Sequence, residues 1–106
     1  MGRFIYDNTQ KVDIEDRALT HVQIVMVSKL RRGEPFGFSW KDDRSTGGGR
    51  TTVWIHSHAS LVFKYSGSKP PAVNRAWIHA LDSIANAPSG LYVVPEPSPT
   101  RTTEAA

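Results

Sequence analysis

Cysteine is missing from all 106 residues. That excludes a disulfide framework, a thiolate metal site and a cysteine nucleophile, and it suits a reducing compartment, so a cytoplasmic location is expected. Long apolar runs are missing too. Nothing approaches the roughly 20 residues that span a bilayer, and the opening MGRFIYDNTQ has no signal-peptide core. Met1-Gly2 is not a myristoylation signal, because Tyr6 stands where Ser or Thr is required. No membrane partner is expected. Acids are scarce in the middle of the chain. Residues 17–75 carry ten Lys or Arg against Glu34, Asp42 and Asp43, an excess of seven positive charges, while each flank is net acidic by two. A basic middle fits an acidic partner, nucleic acid or an acidic protein, if those cations share a face; scattered, they are ordinary solvated side chains.

What is present describes one small domain, since a chain of this length builds a single two-layer core. FIYDNTQKVDI reads as a hairpin, because Asp7 and Asn8 accept turn geometry between two short alternating runs. EDRALTHVQIVMVSKLRR follows. Its β-branched IVMV also suits a strand, but its ends favour a helix: acids at the start with Asp13 or Asp16 as cap, cations in the last turn, then Gly33 and Pro35. PFGFSW, TTVWIH and SLVFKYSG alternate as strands, with KDDRSTGGGR as a loop between the first two. Residues 74–87 form a second amphipathic helix ended by Pro88 and Gly90, and LYVV is a last strand. The expectation is an α+β fold of order ββ-α-βββ-α-β, a mostly antiparallel sheet with two helices on one face. The domain is placed at residues 1–94, and the Pro/Thr-rich stretch 95–106 reads as a disordered tail.

Three groups of residues bear on function. His56 and His58 would point to one side if the strand continued through Ser57, giving two imidazoles to a metal, but no third ligand stands at a suitable spacing. His58-Ala59-Ser60-Leu61 also matches half of a paired-histidine phosphoesterase site, whereas His79-Ala80-Leu81-Asp82 lacks the hydroxyl of the other half. Both readings yield to a solvated turn. Gly47-Gly48-Gly49 is not a phosphate loop, having no Gly-Lys-Ser/Thr and no helix behind it. The stronger site is SGSKPPAVNR, which leads into a helix N-terminus: Ser66, Gly67, Ser68, Lys69, Asn74 and Arg75 combine hydroxyls, free backbone and cations suited to an anion. The competing account is structural, with Gly67 turning the chain, Pro70-Pro71 stiffening it and Ser68 or Asn74 capping. Arg31, Arg32, Lys41, Arg44 and Arg50 extend the site if they lie nearby, with Trp40 or Trp54 for stacking unless those rings pack inside.

DRALTHVQIVMVSKLRRGEPFGFSW, TVWIHSHASLVFKYSGSKPPAVNRAWIHAL and GLYVVPEP together resemble a family of short uncharacterised bacterial proteins often labelled "ATP-dependent DNA ligase". The resemblance covers nearly the whole chain apart from the tail and implies a stand-alone small domain. The ligase label implies an adenylated lysine in Lys-x-Asp-Gly. Lys41 and Asp43 match, but Arg44 replaces the glycine, and the later motifs of a nucleotidyltransferase do not follow. The reading from sequence is a small binding module without catalytic residues or cofactor, for nucleic acid or another polyanion. A protein–protein or homo-oligomeric module and a ligase-related enzyme are the alternatives.

Overall fold

The computed structural model describes residues 1–42 and 47–98. Its elements are β1 (Gly2–Tyr6), β2 (Gln10–Ile14), α1 (Asp16–Arg31), β3 (Phe36–Lys41), β4 (Arg50–Ile55), β5 (Leu61–Lys64) and α2 (Arg75–Ala85). This is the expected α+β order of two helices and antiparallel strands. The strands divide between two sheets: β2-β1-β5 and β3-β4, every named pair antiparallel. The β1–β2 hairpin turns because Asp7 and Asn8 both take positive φ, 50° and 61°, with Thr9 N–H bonded to the Tyr6 carbonyl. Both residue types tolerate that region at little cost, and the primed turn matches strand twist.

The end signals of α1 outweigh its β-branched run. Gly33, at φ 70°, donates to the Leu30 carbonyl and Glu34 donates to that of Lys29, the paired bonds of a Schellman stop. The start differs from expectation. Glu15 stands at the cap position without a side-chain bond, and Asp16 is turned to another task, described below. The buried face of α1 holds Ala18, Leu19, Val22, Val25 and Met26, and also His21 and Lys29. α2 buries Trp77, Leu81 and Ala85. Asn74 caps it by accepting from Ala76 N–H and Trp77 N–H, at 3.0 and 3.4 Å.

One core serves both sheets. Phe4 of β1 meets Phe38 of β3 edge-to-face at 5.4 Å and Phe63 of β5 at 5.3 Å. Phe4 and Phe38 are fully buried, and each such side chain contributes roughly 1.5–3 kcal/mol in burial, with edge-to-face contact adding to it. Alternation then assigns faces. Phe36, Phe38, Val53 and Ile55 look inward from β3–β4, while Gly37, Ser39, Lys41, Arg50, Thr52 and Trp54 form the outer face.

LYVV does not form a strand. Leu91 makes a single parallel bridge to Phe38, through Leu91 N–H to the Gly37 carbonyl and Ser39 N–H to the Leu91 carbonyl. Beyond it the chain is extended and held by side chains: Trp77 Nε1 donates to the Val94 carbonyl at 3.0 Å. The close approach of this strap to β3 requires Gly90. Its φ is 83°, and a Cβ there would stand 2.7 Å from the Gly37 carbonyl oxygen.

Candidate functional site

The residues proposed from sequence fall in three places. Along SGSKPPAVNR, the backbone N–H groups of Ser66 and Gly67 donate to the carboxylate of Asp16, at 3.1 and 2.9 Å, and the Ser66 hydroxyl joins them at 3.0 Å. Those bonds hold the Asp16 carboxyl below its ordinary range, the Gly67 amide contributing most, then that of Ser66. The loop thus cradles an anion that belongs to the chain itself. Ser68, Lys69 and Arg75 are exposed around it. Asn74, the other member of the set, is buried and tied in on every side. Its N–H donates to His21 Nε2 at 2.8 Å, and its Nδ2 donates to Glu96 Oε2 and the Pro97 carbonyl.

Arg31 and Arg32 lie at the far end of α1. Fifteen helical steps from Asp16 amount to about 22 Å, although Lys69 reaches along the helix to Gln23 and Ile24, which also adjoin Arg31 and Arg32. Arg32 is engaged with Glu34 at 3.2 Å, with Asp82 at 3.7 Å and with the Ser28 hydroxyl, and Arg31 is exposed.

Lys41 and Arg50 make the third group, and they do meet. They are direct cross-strand partners at the loop end of the β3–β4 ribbon, both exposed. Behind them on the same outer face, Ser39 and Thr52 share a side-chain hydrogen bond of 2.7 Å, and Trp54 stands opposite Gly37. The strap places Tyr92 beside Ser39. Lys41, Arg50, Ser39, Thr52, Tyr92 and Trp40 line an open groove of about 510 Å³. Asp42 lies next to the pair, its carboxylate accepting the Thr51 hydroxyl at 2.9 Å. Arg44, like Asp43 of the ligase-like tetrapeptide, lies outside the described residues. The two candidate tryptophans separate. Trp40 is half-buried against Phe38 at 5.6 Å, on the inner face, whereas Trp54 is 58% exposed.

The histidine pair lies in the turn between β4 and β5. β4 stops at Ile55, and residues 56–59 turn, with Ala59 N–H bonded to the His56 carbonyl. His56 Nδ1 accepts the His58 amide at 3.3 Å, and the two rings stand 6.4 Å apart. Among the described residues no third His, Cys, Asp or Glu joins them in a group able to hold a metal.

A family model described as a domain of unknown function, DUF7882, matches residues 1–96. The chain belongs to that family. No curated protein and no solved structure matches it. The matched span ends at Glu96, within the strap. Arg17 grips Glu96 through two parallel bonds, Nε to Oε1 at 2.8 Å and Nη2 to Oε2 at 2.6 Å. Those bonds, with the one from Asn74, carry the Glu96 carboxyl from an ordinary 4.5 to about 2.

Sequence reasoning singled out Asn74 but passed over the partners gathered around it, Arg17, His21, Trp77 and Glu96. A signal for some of them existed. His21 and Lys29 stand at helical spacing with Ala18, Val22 and Val25, so the stripe that buries those residues buries them too. Trp77 stacks on the His21 ring at 4.6 Å. Nothing local marks Glu96 as their partner, because 79 residues separate it from Arg17.

Proposed function

We propose that this chain is a small non-enzymatic binding module for a polyanion, nucleic acid being the class that its surface fits, and that the ligand lies on the outer face of β3–β4. One observation carries the reading: Lys41 and Arg50 face each other directly across the exposed ribbon. Like charges opposite one another destabilise a sheet by some tenths of a kcal/mol, and a phosphate chain converts that repulsion into attraction. Among the described residues Arg17, Lys29 and Arg32 are engaged with acids of the chain itself. The loop at 66–75 is kept as a structural joint, its turn amides being bound to Asp16.

Titrating a labelled oligonucleotide across a salt series tests this. Neutralising two phosphates gives a slope of log K against log salt of about −1.4 on a single strand and −1.8 on a duplex. The Lys41→Ala/Arg50→Ala double variant is expected to flatten that slope towards zero while its melting temperature holds or rises. Binding that ignores salt, or that survives the double variant, refutes the proposal. Self-association is the second reading, favoured by the exposed Trp54 on a two-stranded sheet; a concentration-dependent mass in sedimentation would establish it. The ligase reading rests only on the family resemblance and on the partial Lys-x-Asp match at Lys41 and Asp43. Lys41 is exposed beside Arg50, and labelled ATP is expected to leave no adenylate on it.

A further inference from the structure

We propose that the β3–β4 face takes single-stranded rather than duplex nucleic acid, with Trp54 and Tyr92 as stacking platforms for its bases; this rests on the polyanion reading of the same face. The aromatics carry the inference. Trp54 is 58% and Tyr92 47% exposed, on a face whose remaining positions are small or polar. Gly37 lies across the ribbon from Trp54 and has no side chain to cover it. Beside Trp54 a cleft runs between the ribbon and the end of α2, lined by Pro35, Ala87 and Pro88 and also by the ion-paired Lys29 and Glu34. An unstacked base fits there with its face on the indole.

The second platform is set by the strap. The Phe38–Leu91 bridge buries Leu91, and the next residue, Tyr92, therefore turns outward beside Ser39. Between the rings lie the Ser39 and Thr52 hydroxyls, able to reach base edges or a ribose 2′-hydroxyl. The cations stand at one end. Four strand residues from Trp54 to Arg50 span about 13 Å, which separates phosphate contact from base contact along one extended strand. A duplex hides the faces of its bases, so it would engage Lys41 and Arg50 alone. The complementarity is of charge beside Tyr92 and of a second flat apolar ring at Trp54 further along the face, and single-stranded nucleic acid presents both.

The three tryptophans allow a direct test. Trp77 is buried, Trp40 half-buried and Trp54 exposed, so a base stacking on Trp54 quenches the intrinsic fluorescence that a solvent-exposed indole contributes. Oligothymidine, oligouridine, a hairpin duplex and inorganic polyphosphate are titrated into the whole chain. The single strands are expected to quench and to bind more tightly than the duplex; a preference for oligouridine over oligothymidine would identify the 2′-hydroxyl as part of the ligand. Trp54→Ala is expected to weaken single-strand binding by roughly 5- to 150-fold, the range given by loss of one stacked base. It should leave polyphosphate binding unchanged. Trp54→Phe keeps a ring and should restore binding to within a few-fold, which separates stacking from a disturbed fold. Equal affinity for single strand and duplex, untouched by Trp54→Ala, overturns the inference and leaves the polyanion reading standing. Absence of binding to all four ligands overturns both. A fall in self-association with Trp54→Ala, without effect on oligonucleotides, assigns the face to a second copy of this chain instead.

Discussion

At the scale of single residues, the decisive groups are polar ones placed inside or against the core. His21 is fully buried. Because its Nε2 accepts the Asn74 N–H, its proton sits on Nδ1 and is donated to the Arg17 carbonyl at 2.7 Å. His21→Phe keeps a ring against Trp77 but orphans the buried Asn74 amide. Such a loss costs about 1–3 kcal/mol, and a melting curve is expected to drop by several degrees or more. A variant as stable as the parent would show that the amide had found water. Glu96 gives a pH-dependent counterpart. Its carboxyl is depressed to about 2, so the stabilisation from Arg17 and Asn74 is complete above about pH 4.5 and is lost as the pH falls towards 2. Glu96→Gln should therefore melt lower than the parent at pH 7, and the two should converge near pH 2. A gap that persists in acid would place the effect in packing rather than charge.

Among the elements, the joints matter more than the elements themselves. α1 begins without a side-chain cap, since Asp16 spends its carboxylate on the Ser66–Gly67 turn and so ties the helix start to the end of β5. At the other end Lys29, buried but for its contacts, donates to Glu34 and Asn86 and so joins α1 to the turn before β3 and to the end of α2. The strap depends on backbone shape. Gly90→Ala adds a methyl 2.7 Å from the Gly37 oxygen at a positive φ, so it is expected to cost more than about 1 kcal/mol and to speed amide exchange at Leu91. Gly37→Ala meets nothing nearer than 3.7 Å and serves as the control. Equal stability of the two variants would mean that the strap is not pressed against β3.

For the molecule as a whole, the closing act is made by the end of the described chain. Val94, Glu96 and Pro97 receive bonds from Trp77, Arg17 and Asn74, which ties the strap to both helices. Ending the chain after Val93 removes all three anchors. It is expected to lower the melting temperature and to expose Trp77 to a soluble quencher, whereas an unchanged melting curve would make the strap an ornament. The charge distribution also belongs to this scale. The basic middle of the sequence divides among the loop after β5, the end of α1, β5 and the β3–β4 ribbon; Lys41 faces Arg50 across the ribbon, and Lys64 faces Arg3 across β1–β5, where Asp13 pairs with Arg3.

Length, missing cysteine, two helical stripes with their stop signals and three alternating runs were enough to determine the α+β order, because each of these is a local property of covalent neighbours. Asp7–Asn8, Gly33 and Asn74 act in the structure through the turn, stop and cap that their own chemistry dictates. Only the tertiary structure decided that β5 leaves β4 and pairs with β1, that Leu91 makes one bridge instead of a strand, and that Asp16 serves a turn 50 residues away. Those choices depend on which apolar faces can close over a shared core around Phe4 and Phe38, and on which buried polar groups then need partners. Neither condition exists until distant segments meet.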